Sequence, residues 1–187
     1  MRPATKNDTT DAHMSIAIIE IKARCNNPDA IRNKLHSLNA RSIGTDHQID
    51  TYFVVPSGRL KLRRGSIENT LIHYNRPNQS GPKLSAVKLY KPQDVDALYA
   101  TLSAALSVLT EVDKQREIYF IDNVKFHIDR VKRLGSFIEI EAIDENGNLG
   151  LAKINEQCAY YIQLFGVGTD DLMTHSYSDM ILDLNDK

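Results

Sequence analysis

The stretch GRLKLRR, Gly58–Arg64, alternates cationic and apolar residues with the two-residue period of a β-strand. Arg59, Lys61 and Arg63 therefore share one face, and Leu60 and Leu62 share the other. Three like charges along one face repel unless water or an anion lies against them. On the solvated side of an antiparallel sheet the answer is water. What the rest of the chain places on its strands decides between the two.

The neighbours of this stretch read as strands joined by tight turns: HQIDTYFVV (47–55), the turn PSG, RLKLRR, the turn GSIEN (65–69) and TLIHYNRP (70–77). NQSGP is a loop and KLSAVKLYK (83–91) a further strand. TEVDKQREIYFI, VKFHIDRV and SFIEIEAI follow later, and the Ile-rich MSIAIIEIKARC comes first. Three helices separate these runs. Asn27 caps the first and Pro28 opens it, with Ile31, Leu35 and Leu38 on one stripe. The second runs from Pro92, with Val95, Leu98, Leu102, Ala105, Leu106 and Leu109 at helical spacing. The third carries Leu151, Ile154, Cys158, Tyr161, Ile162 and Phe165, and Gly166 stops it. The segment SYSDMILDL ends the chain without an assigned element.

Composition narrows the possibilities. At 187 residues the chain is long enough for one sizeable domain. A net charge of -1, from 23 Lys+Arg against 24 Asp+Glu, argues against the broad basic surface of a nucleic-acid binder. Two cysteines are too few for a disulfide framework or a zinc site, which fits a reducing cytoplasm. No apolar run reaches membrane-spanning length, and MRPATKNDTTDAH lacks the apolar core of a signal peptide. Residues 1–14 read as a disordered tail or a cloning remnant, with Met14 a candidate start, and residues 15–187 as a single domain. No phosphate-binding P-loop, dinucleotide fingerprint or nucleophile elbow is present.

The charged alternation recurs. Glu20 and Lys22 share a face of the first strand, Lys114 and Arg116 a face of the sixth. Lys125 and Asp129 share one in VKFHIDRV, and Glu139 and Glu141 share one in FIEIEAI. Arg76 and Lys88 add cations to the middle strands. His127 alternates with Lys125 and Asp129, which leaves a role near the cavity open beside the commoner one of a structural hydrogen bonder. About eight antiparallel strands tend to curl and close, because closure removes exposed edges. The expected fold is α+β, a closed antiparallel eight-stranded β-barrel flanked by helices, with its charges inside. Cations gathered in a cavity want a polyvalent anion, and carboxylates beside them want a hard divalent cation. A metal-bound polyphosphate satisfies both.

These segments, taken in order, resemble the CYTH superfamily, the triphosphate tunnel metalloenzymes, and within it the class IV adenylyl cyclase branch. The carrying stretches are IEIKARC, DTYFVVPSGRLKLR, LIHYNRPNQSGPKLS, VDKQREIYFIDNVKFHIDRVKRLGSFIEIEAI and SYSDMIL. The resemblance implies a tunnel that binds triphosphate with Mg²⁺ or Mn²⁺, no membrane or nucleic-acid partner, and a homodimer. It implies metal ligation by Glu20, Glu139 and Glu141, and catalytic roles for Lys22, Lys114 and Arg116. It puts Arg59, Lys61, Arg63, Arg76, Lys88, Lys125 and Asp129 against substrate, with Arg59 at the tunnel mouth. Of the family's E-x-E-x-K signature, this chain has Ile18 in place of the first carboxylate. The implied activity is conversion of ATP to cyclic AMP and pyrophosphate. A triphosphatase acting on tripolyphosphate, thiamine triphosphate or another organic triphosphate is the alternative, and a non-catalytic polyphosphate-binding module the third reading.

Overall fold

The computed structural model describes residues 16–75 and 81–185. Eight strands carry the fold: β1 (Ile16–Arg24), β2 (Arg41–Phe53), β3 (Arg59–Gly65), β4 (Thr70–Asn75), β5 (Lys83–Tyr90), β6 (Val108–Ile121), β7 (Val124–Val131) and β8 (Gly135–Asp144). All pair antiparallel in the order β1-β5-β4-β3-β2-β6-β7-β8, and β1 bonds to both β5 and β8, so the ladder returns on itself as a closed barrel. The helices are α1 (Pro28–Ser37), α2 (Val95–Ala105), α3 (Leu151–Leu164) and α4 (Tyr177–Asn185). None of the helices among the described residues is long and apolar enough to cross a membrane.

Alternation sorts the two faces of the wall. Ile19, Ile21 and Ala23 of β1, Phe126 and Ile128 of β7, and Ile138, Ile140 and Ala142 of β8 point outward. There they form one core with Ile31 and Leu35 of α1 and Ile154 and Cys158 of α3. Asn27 Oδ1 accepts from the Ala30 N–H at 3.1 Å, the cap that starts α1. Gly166, at φ +64°, is the left-handed residue that ends α3. The intervening residues Glu20 and Lys22 of β1, Lys125 and His127 of β7, and Glu139 and Glu141 of β8 face the barrel interior.

Three elements differ from the sequence expectations. The second helix stops at Ala105, none of its residues is buried, and Leu109 is an exposed residue of β6. Its leucine stripe satisfied the helical period, but the chain turns into a β-strand that the ladder with β2 stabilises. β2 begins at Arg41, six residues before the alternating run, because its polar first half gains its hydrogen bonds from β6 across a bulge between Ser42 and Gly44. The terminal segment is a helix, α4. Ser176 Oγ accepts from the Asp179 N–H (3.2 Å) and Asp179 Oδ2 accepts from the Ser176 N–H (3.0 Å), a reciprocal cap. That cap aims Tyr177 and Ile181 into the barrel, where they pack with the inward-facing Tyr52, Val112, Val131 and Phe137. One end of the interior is thereby filled.

The β3–β4 turn is held from inside. Asp46, fully buried, accepts from Gln48 Nε2 (2.8 Å), Ser66 Oγ (2.9 Å) and the N–H groups of Ile67 (2.8 Å) and Glu68 (2.9 Å). Gly65 makes the approach possible, since a Cβ there would lie 2.7 Å from Asp46 Oδ2. Burial opposes the Asp46 charge, but these four donors outweigh it and hold the carboxyl below its usual range.

Candidate active site

The interior is a cavity of about 360 Å³. Among the described residues its wall carries seven Lys or Arg side chains and five Glu side chains, joined by His127 and the ring of Tyr177. Asp50 and Asp129 lie buried behind that wall, so among the described residues the enclosed charges come close to cancelling. A ligand with four or more negative charges therefore has to bring a cation with it or displace a carboxylate.

Strand register builds the site in rungs. Asp50 of β2 stands opposite Arg63 of β3. It accepts from Arg63 Nε (2.9 Å) and Nη2 (3.2 Å), Lys61 Nζ (3.0 Å) and Lys114 Nζ (2.6 Å). Burial works against its charge, but Arg63, Lys114 and Lys61 hold the carboxyl well below the usual carboxylate range. The cations of GRLKLRR thus face a carboxylate of their own chain, an answer that the strand period alone does not contain. On the next strands Arg116 stands opposite Asp129 and bonds it twice, through Nε (2.7 Å) and Nη2 (2.5 Å). Arg116 Nη2 also donates to Glu139 Oε2 at 2.5 Å. Lys22 lies opposite Glu139, pairs with its other oxygen, and sits 3.3 Å from the centroid of the Tyr177 ring. Glu141 stands between Glu20 on β1 and Lys125 on β7.

Of the expected site residues, Glu20, Lys22, Lys61, Arg63, Lys114, Arg116, Lys125, Glu139 and Glu141 all line this one cavity. Three do not. Lys88 is exposed while its neighbours Val87 and Leu89 line the interior, because alternation on β5 turns it outward. Arg59 donates to Asp179 of α4 at 2.9 Å and does not line the cavity, so it ties down the terminal helix where a place at the tunnel mouth was expected. Asp129 does not line it either; it holds Arg116 and accepts from the Tyr177 hydroxyl at 2.8 Å. A carboxylate there positions a cation and would repel a phosphate. Arg76 lies outside the described residues.

Sequence reasoning missed Asp50, Glu68 and Tyr177. Asp50 shares its strand face with Gln48 and Tyr52, a signal that becomes meaningful once β2 is known to lie beside β3 and β6. Glu68 sits in the turn GSIEN, where nothing local distinguishes a solvated glutamate. Tyr177 was legible through the cap S-x-x-D around it.

His127 is also more than a structural hydrogen bonder. It is 1% exposed, lines the cavity, and places Nδ1 3.2 Å from Glu139 Oε2 and 3.6 Å from Glu141 Oε1. Its Nε2 is buried without a hydrogen-bond partner among the described residues. Burial, with help from Arg116 and Lys125, lowers its pKa, so the ring is neutral at pH 7. His127, Glu139 and Glu141 offer ligand atoms within 4.8 Å of one another. Two carboxylates and a neutral imidazole suit a divalent cation, and the nitrogen favours Mn²⁺ over Mg²⁺. Glu20 faces Glu141 across the ladder but is not one of that group.

Lys114 gives the site a pH dependence. Burial, with Arg116, Arg63 and Lys61 nearby, overcomes the attraction of Asp50 and lowers its pKa to about 7. Above pH 7 the amine is mostly neutral, and an anion placed beside it draws a proton back. Tripolyphosphate binding at pH 8 should therefore take up about one more proton in the wild type than in Lys114→Met, a difference that vanishes at pH 6. Calorimetric titrations in buffers of different ionisation enthalpy measure this directly. Equal proton uptake by both proteins at pH 8 would show that Lys114 stays charged in the empty site.

Comparison with known proteins agrees with this geometry. Among solved structures, the PH1012 protein from Pyrococcus horikoshii OT3 is 24% identical, with a TM-score of 0.72 over 87% of this chain and 98% of its own. A proposed adenylate cyclase from Vibrio parahaemolyticus is 20% identical, with a TM-score of 0.72 over 88% of this chain and 97% of its own. HpAC1 from Hippeastrum, described as having a dominant triphosphatase activity, is 14% identical, with a TM-score of 0.58 over 91% of this chain and 96% of its own. At these identities the likeness speaks for the fold alone. No curated protein matches the chain. The CYTH domain model matches residues 18–177, from Ile18, which lines the cavity on β1, to the tyrosine that fills the end of the barrel. With the closed barrel and its charged interior, that match makes the chain a member of the CYTH domain family.

Proposed function

We propose that the interior binds a nucleoside triphosphate together with Mn²⁺ or Mg²⁺, and that the protein is an adenylyl cyclase-like enzyme releasing pyrophosphate. The observation that carries this reading is the convergence of Lys22, Lys61, Arg63, Lys114, Arg116 and Lys125 on a single cavity beside the His127, Glu139 and Glu141 group. Arg63 and Arg116 are braced by Asp50 and Asp129, so their donors are oriented before a ligand arrives. Such preorganised cations stabilise the charge that grows on a leaving pyrophosphate. His127, Glu139 and Glu141 would hold a divalent ion, which would supply positive charge against the phosphates and lower the pKa of the attacking hydroxyl.

The rest of the wall supports an organic triphosphate over an inorganic one. Ile18 stands opposite Ile143, one rung beyond Glu20 and Glu141, and Ile72, Val87, Leu89 and Phe120 also line the cavity. The residue that replaces the first signature carboxylate thus belongs to an apolar part of the wall, which suits a nucleoside better than a further charge would. In the cyclase reading the ribose 3′-hydroxyl attacks the α-phosphorus, the bond to the β-phosphate oxygen breaks, and pyrophosphate leaves.

A triphosphatase is the second reading, favoured by the activity described for HpAC1. There water attacks the terminal phosphorus in the same cavity. The test is a panel of ATP, tripolyphosphate and thiamine triphosphate with Mg²⁺ and with Mn²⁺, read by product identity. Cyclic AMP and pyrophosphate from ATP support the cyclase. Orthophosphate from any of the three transfers the proposal to hydrolysis. Binding without turnover by any substrate would reduce the protein to a polyphosphate-binding module.

A further inference from the structure

We infer that Glu68 is a tethered counter-ion that occupies a phosphate subsite in the empty protein and raises the charge a ligand needs to enter. The inference rests on the triphosphate reading of the cavity and adds a selectivity element to it.

Donors from three strands converge on the Glu68 carboxylate. Arg63 Nη1 of β3 donates to Oε2 at 3.0 Å, Gln48 Nε2 of β2 to Oε2 at 3.2 Å, and Lys125 Nζ of β7 to Oε1 at 2.6 Å. A guanidinium, an ammonium and an amide gathered on two oxygens would receive a phosphoryl group equally well, since both anions use the same charge-assisted geometry. Glu68 differs from the other acids that neutralise the interior cations in how it is held. Asp50 and Asp129 are carried on strands and are 1% exposed. Glu68 is carried on the β3–β4 turn, and its side chain is 25% exposed. Asp46 fixes the backbone of that turn through the N–H groups of Ile67 and Glu68, so the turn stays in place while the side chain retains a route to water.

Charge balance gives this arrangement a consequence. With Glu68 in place, Arg63 and Lys125 are already neutralised, and an incoming phosphate must break those pairs before it can form its own. A ligand with one phosphate replaces one anion by another and gains little. A triphosphate also reaches Lys22, Lys61, Lys114 and Arg116, which repays the displacement. Glu68 thereby penalises short phosphates by a larger share of their binding energy than it penalises long ones.

The test is calorimetric titration of the full-length protein with tripolyphosphate and with orthophosphate in metal-free buffer. Glu68→Gln removes the charge, and Glu68→Asp shortens the reach and serves if the first variant folds poorly. The expected result is tighter binding of both anions in the variants than in the wild type, about tenfold for orthophosphate and less for tripolyphosphate, whose contacts with the other cations let it bind with Glu68 only partly displaced. The preference for tripolyphosphate over orthophosphate should also narrow. A strut that only stabilises the turn would lower the unfolding midpoint and leave both affinities unchanged, which overturns the inference. Weaker binding in the variants overturns it as well, because Glu68 would then be assisting the ligand. If tripolyphosphate binds neither wild type nor variant, in metal-free buffer or with Mn²⁺ added, the triphosphate reading itself fails and the inference falls with it.

Discussion

Glu139→Gln combined with Glu141→Gln should reduce metal-dependent turnover by about 10³-fold or more, and Mn²⁺ binding should be lost with it. Glutamine keeps the shape and removes the charge that a divalent cation needs. Alanine is the poorer choice at position 139. Its carboxylate pairs with Lys22 and Arg116, which are 7% and 2% exposed, and truncation would remove the hydrogen-bond acceptor of both buried cations as well as the charge, where the glutamine carbonyl still accepts. Burial opposes the Glu139 charge, yet Arg116 and Lys22 hold its carboxyl well below the usual range. Electron paramagnetic resonance of added Mn²⁺ separates loss of the ion from loss of the fold, which circular dichroism monitors. Undiminished turnover in the double variant would remove these carboxylates from the metal site.

Asp50→Ala should cost about 3–5 kcal/mol of stability, the range expected when one partner of a buried charge cluster is removed. The variant leaves Lys61, Arg63 and Lys114 without the carboxylate they share. The sign of the pH dependence follows from the depressed pKa of Asp50. Its contribution is complete above the ordinary aspartate range near pH 4 and is lost as pH falls through the lower folded-state value. In wild-type protein, urea midpoints should therefore drop steeply below about pH 4. Because a polyanion supplies the charge that the substitution removes, tripolyphosphate should raise the midpoint of Asp50→Ala more than that of the wild type. Equal stabilisation of the two proteins would mean that the ligand does not lie against these cations.

Much of the barrel was legible because inward and outward residues differ so sharply in kind. In FIEIEAI the glutamates face the cavity and Ile138 and Ile140 face the helices, so one strand announces both surfaces. The site was legible as far as it lies on such strands, which is why Lys22, Lys61, Arg116 and Glu141 meet as expected. It was obscured where position depends on pairing between distant segments. Lys88 has the right type and roughly the right place, but its parity relative to Val87 turns it to solvent. Arg59 has the right parity and is taken up by Asp179, a residue 120 positions away. Asp50 and Glu68 were invisible as counter-charges because the sequence presents Arg63 without its cross-strand neighbour. Helix α2 misled for a different reason: its leucines meet the helical period, while the ladder with β2 claims the residues from Val108 onward.

The most direct test is a titration of wild-type protein and Arg63→Ala with tripolyphosphate in the presence of Mn²⁺. Arg63 is 7% exposed, lines the cavity, and is oriented by Asp50 and Glu68. A ligand bound inside the barrel predicts saturable one-to-one binding that weakens about tenfold to a hundredfold in the variant, as expected for lost charge-assisted hydrogen bonds. Identical affinity in the two proteins, with the variant still folded, would place the ligand elsewhere and contradict the interior as the binding site.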